Sequence, residues 1–175
     1  MFRSARGLRI HAISAACLVL GLSGVARADE TGAWPNVDRR LGTLFPLAVA
    51  QSAARLETPE CAAVLEDFRD NRTGRPLTER LAETGGTASE YLARWLTFTS
   101  GIGLRPCENS GIMAFTSPGS RVVFVCRDQF DAMRRKNEGL AANILIHEAL
   151  HSLGLGENPP DSKFITARVQ ARCGR

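Results

Sequence analysis

The run His147-Glu148-Ala149-Leu150-His151 constrains this chain more than any other feature, because its polar groups converge only if the segment is an α-helix. At about 100° per residue the two imidazoles fall about 40° apart, one turn above the other, so both can reach one cation. Glu148 lies about 100° round from His147, where its carboxylate can take a proton from a water molecule without binding the ion. Leu145, Ile146, Ala149 and Leu150, with Ala142 and Leu153, cover the opposite arc, so the sequence predicts an amphipathic helix with its chemistry on the polar side. Asn137 is placed to cap its start and Gly154 to end it.

The inventory of remaining residues decides what else such a site can use. The chain has three histidines, and the third, His11, falls in a segment with the form of a secretory signal peptide. Arg3, Arg6 and Arg9 precede an apolar stretch from Ala12 to Val25 that ends in Ala26-Arg27-Ala28, so residues 1–28 are expected to be removed. That stretch falls short of the roughly 20 residues of a membrane span, and no later one approaches it. The expectation is an exported chain, periplasmic or extracellular, with no stable membrane association after cleavage. The leader holds Arg3, Arg6, Arg9 and Arg27, four of the 22 basic residues, and none of the 18 acidic ones, which leaves 18 against 18. The basic pI of about 9.1 therefore belongs to the leader and gives no ground for a nucleic-acid partner.

Catalytic zinc takes three protein ligands and keeps one position open. With no further histidine in 29–175, a carboxylate is the natural third ligand, and only Glu157 and Asp161 follow His151. Glu157 comes first, because Gly154 lets the chain reverse between it and His151. Asp161 is also placed to cap the last helix and comes second.

Residues 29–175 suit one domain. Its four cysteines suggest two disulfides in an exported chain, with Cys107–Cys126 and Cys61–Cys173 the preferred pairing. Residues 37–70 read as helical, broken near Pro46 and again before Pro59, where Thr58 precedes a helix start. A second helical region opens at Pro76-Leu77 and is interrupted at Gly85-Gly86. Thr87 and Glu90 then form a capping box, followed by Tyr91, Leu92, Trp95, Leu96 and Phe98 as a helical core stripe. Residues 112–116 and 121–125 flank a Ser117-Pro118-Gly119-Ser120 turn and read as a β-hairpin, the second strand apolar enough to be buried on both faces. Arg134-Arg135-Lys136 reads as a solvated turn, and Asp161 or Ser162 caps a last helix with Ile165, Val169 and Cys173 on one stripe. The expected fold class is α+β: N-terminal helices, a small sheet or hairpin, and the histidine-bearing helix packed beneath it.

The segment His147-Glu148-x-x-His151-x-x-Gly154-x-x-Glu157 resembles the metzincin clan of zinc peptidases, whose motif is H-E-x-x-H-x-x-G-x-x-H, the last residue being Asp in some members. Here Glu stands in the third-ligand position, and no methionine follows Met133 to form the clan's Met-turn. The resemblance implies a zincin-like domain holding Zn2+ through His147, His151 and Glu157, with Gly154 at the turn. It implies a secreted metallopeptidase that hydrolyses a peptide or protein substrate with a zinc-activated water and Glu148 as general base. It also implies that the strand 121–125 offers its edge to an extended substrate. Tyr91 and the arginines are candidates for stabilising the oxyanion. Two other readings fit the same residues: a non-catalytic exported zinc-binding module, and a zinc amidase acting on cell-wall peptides.

Overall fold

The computed structural model describes residues 35–174; the expected signal peptide, residues 1–28, lies outside them. Pro46 sits in the first turn of α1 (Phe45–Leu56), where its missing N–H is no loss. Thr58 caps the next helix, α2 (Pro59–Ala62), by accepting from the Cys61 N–H. A 3-10 turn at Ala63–Leu65 ends the helical run, earlier than the expected boundary at residue 70. Then come α3 (Leu77–Ala82) and α4 (Ala88–Glu90), the latter opened by the complete Thr87–Glu90 capping box.

The core stripe beyond α4 departs from expectation. The helix continues only through a π-helical turn, Tyr91–Trp95, and the chain then extends into β1 (Thr97–Ser100). Leu96 and Phe98 are fully buried, but as alternate residues of an extended segment. Trp95 is exposed, with the Arg121 guanidinium 4.7 Å above its ring. The apolar residues at 96 and 98 satisfy both periods, and the β-branched Thr97 and Thr99 side with the strand.

Three strands form the sheet, in the order β1, β3 (Val122–Val125), β2 (Ala114–Phe115). β2 pairs with β3 antiparallel, as the hairpin reading requires, while β1 pairs with β3 in parallel, Thr97 opposite Val122 and Ser100 opposite Val125. β3 is therefore central and has no free edge; β2 lies at one edge and β1 at the other, where Phe98 bridges to Val37. Val123 and Val125 are fully buried on the helix-covered face. Val122 and Phe124 are half-buried on the other, where Phe124 stacks on Phe115 at 5.2 Å. The expectation of burial on both faces fails because helices cover one face of this sheet.

Residues read as a polar stretch form α5 (Arg127–Lys136), which buries Phe130. Its last turn holds Arg134, Arg135 and Lys136, cations suited to the negative end of a helix dipole. Asn137 then caps α6 (Glu138–Ser152) by accepting from the Leu140 N–H. Helix α6 is not amphipathic: every residue from Ala141 to Ser152 is buried, because α1, α5, α7 (Ser162–Cys173) and the sheet surround it. Asp161 caps α7 through the Phe164 N–H at 2.7 Å, and Ile165, Val169 and Cys173 bury its inner stripe.

Both disulfides pair as the sequence suggested, Cys61 with Cys173 and Cys107 with Cys126. The first bolts α7 to α2, and the Arg172 guanidinium reinforces it with two 2.9 Å bonds to Asp67. Among the described residues, no helix is long and apolar enough to cross a membrane. Because Cys61 and Cys173 stand 112 residues apart, replacing both with Ser should cost about 3–5 kcal/mol. The urea midpoint would report it, and an unchanged midpoint would mean that packing alone secures α7.

Candidate metal centre

His147 and His151 occupy successive turns of α6, and burial of the helix turns both rings into one recess. Their Nε2 atoms stand 2.9 Å apart. Glu157 reaches back from the following loop, its Oε1 lying 3.6 Å from His151 Nε2 and 3.9 Å from His147 Nε2. One ligand atom from each of the three residues falls within 4.8 Å of the others. Two nitrogens bound tetrahedrally at about 2.0–2.1 Å from one ion lie about 3.3 Å apart, so the spacing fits a small cation. The three residues can hold a metal ion. Asp161 is not among them and serves α7 as its cap.

The far side of each ring is fixed. His151 Nδ1 lies 2.7 Å from the Leu155 carbonyl, which only accepts, so Nδ1 carries the proton and Nε2 keeps its lone pair for a metal. His147 Nδ1 meets the Thr166 hydroxyl at 3.0 Å, from α7. Burial, and secondarily His151, pushes the pKa of His147 down to about 3, which keeps the imidazole in the neutral form that binds metals.

Glu148 is buried beside this cluster, and its Oε2 has no hydrogen-bond partner among the described residues. Burial first, and then the negative charge of Glu157, push its pKa up to about 8, against a smaller opposing pull from the Thr116 N–H. A buried acid with an orphaned oxygen next to three convergent ligand atoms is a site short of positive charge. A dication there would draw Glu148 back towards its ionised form.

Two loops bring the ligands together. Gly154 has φ of +113°, and a Cβ there would come 2.7 Å from Asp70 Cγ, so only glycine lets the chain turn against the 70–71 loop. Asn71 N–H donates to the Gly154 carbonyl at 3.0 Å, and Gly156 passes directly against the Asn71 side chain. That turn returns the chain to the recess with Glu157. On the other side, the β2–β3 turn docks on the end of α6, Gly119 N–H donating to the His151 carbonyl at 2.9 Å.

The recess opens into a cleft of about 440 Å³ walled by Met113, Ala114, Phe115 and Thr116 on one side and by Ser162 and Thr166 on the other. The strand beside it is β2, not the 121–125 strand, which is enclosed between its neighbours. Tyr91 does not reach the cleft: it is buried elsewhere, its hydroxyl 3.1 Å from Ser152 Oγ. No lysine or arginine is in the cleft wall among the described residues. Thr166, Thr116 and the Leu155 carbonyl escaped the sequence reading. A metal-binding histidine calls for a partner on its other nitrogen, but no spacing reveals which residue supplies it. In comparisons with known proteins, no family model, no curated protein and no solved structure matches this chain.

The raised Glu148 carboxyl gives the metal-free protein a distinct pH dependence. Its stabilising contribution is full below the unfolded pKa, near 4.5, and is lost as pH rises through about 8. His147 acts oppositely, its contribution growing as pH rises from about 3 to 6.5 and staying constant above, so above 6.5 only Glu148 of the two still changes the stability. In chelator, stability should fall by about 1–2 kcal/mol from pH 6.5 to 8 and stay flat in Glu148→Gln. Parallel denaturation curves for the two proteins check it; equal slopes would assign the loss to another group.

Proposed function

We propose that this chain is an exported zinc-dependent peptidase of zincin-like fold, in which His147, His151 and Glu157 hold the metal and Glu148 is the general base. The observation that carries this reading is the position of Glu148: buried, with an unpartnered oxygen, beside the convergent histidine and Glu157 atoms. Zinc, when bound, supplies a Lewis acid that polarises the scissile carbonyl and lowers the pKa of water. Glu148 takes the proton of the attacking water and delivers it to the leaving nitrogen. The two disulfides agree with export to an oxidising compartment.

An extended peptide would lie along the outer edge of β2, where main-chain groups of the wall can pair with it. A purely structural zinc clamp would want a fourth protein ligand, and all four cysteines of the described residues are consumed in disulfides.

Purified protein should contain one zinc and hydrolyse members of a peptide library, with purified cell wall as a parallel substrate. Glu148→Gln should retain the metal and lose about 10²–10⁴-fold in kcat; undiminished turnover would remove Glu148 as the base. Glu157→Ala should weaken zinc binding by far more than Asp161→Ala, which should lose only about 1 kcal/mol of stability with its cap. The reverse ranking in a chelator competition would overturn the ligand assignment.

A further inference from the structure

We propose that Thr166 is a positioning residue for His147, setting the affinity of the site for its metal; this rests on the zinc reading above. The two histidines are held by different means. His151 Nδ1 donates to a backbone carbonyl, Leu155, which no side-chain substitution removes. His147 Nδ1 meets a side-chain hydroxyl 19 residues away, at 3.0 Å. A hydroxyl can donate or accept, so Thr166 can serve either tautomer; when Nε2 faces a metal, Nδ1 carries the proton and the hydroxyl accepts it, holding the ring with its Nε2 lone pair towards the recess.

Without that partner the ring of His147 is free to turn about its Cβ–Cγ bond, and Nδ1–H becomes a buried donor with no acceptor. Thr166 is in turn held by its helix. Ile165 and Val169, both fully buried, anchor α7 on either side of it. The Cys61–Cys173 disulfide and the Asp67–Arg172 pair fix the far end. The ring of His147 is thus oriented by a helix that contributes no ligand of its own.

Two substitutions separate this role from space-filling. Thr166→Val keeps the shape and removes the hydroxyl; Thr166→Ser keeps the hydroxyl and removes a methyl. Zinc affinity, read by competition with a chromophoric chelator on the full mature chain, should fall about 10–100-fold in Thr166→Val and stay within about threefold of wild type in Thr166→Ser. The metal-free melting temperature of Thr166→Val, measured alongside, should fall by no more than the few degrees expected for one lost buried hydrogen bond. Wild-type affinity in Thr166→Val, or a larger loss in Thr166→Ser than in Thr166→Val, overturns the assignment of Thr166 alone. Failure of the wild-type protein itself to bind zinc overturns the metal site and this inference together.

Discussion

Enclosure of α6 from Ala141 to Ser152 places polar side chains where water cannot solvate them, and the surrounding structure answers that cost residue by residue. Asn143 Oδ1 accepts from Arg55 at 2.7 Å, and Ser152 Oγ lies 2.7 Å from the Ala149 carbonyl. His147 and His151 each have a partner on Nδ1. Glu148 Oε2 has none among the described residues. On a helix so thoroughly satisfied elsewhere, one orphaned carboxylate oxygen stands beside two imidazoles and a second carboxylate that can hold a metal ion.

Four separate segments converge on that helix. The 70–71 loop shapes the turn at Gly154 that returns Glu157, and the β2–β3 turn sets Thr116 against Glu148. Helix α7 brings Thr166, under the hold of one disulfide, and β2 supplies the wall of the cleft. The other disulfide, Cys107–Cys126, fastens the segment leading into that wall to the start of α5. Stability and site geometry therefore share the same ties.

Local chemistry was legible in the sequence where the chain itself supplied both halves of an interaction. The caps at Thr58, Thr87, Asn137 and Asp161, the hairpin, and the His147–His151–Glu157 cluster all follow from spacings of about one or two turns. Tertiary context was not legible. The run from Tyr91 to Phe98 satisfied two periods at once, and strand pairing with Val122–Val125 decided between them. The histidine helix looked one-sided because polar residues on it suggest solvent, yet its polar face is enclosed. Thr166 gave no sign because a hydroxyl 19 residues from its histidine is one threonine among several.

The most direct measurement is anomalous diffraction at the zinc absorption edge from crystals of residues 29–175 grown with zinc. A single strong peak is expected, bounded by His147 Nε2, His151 Nε2 and a Glu157 oxygen, with the Glu148 carboxylate facing it but not bound. A peak held by four protein ligands, or none at this recess, would contradict it.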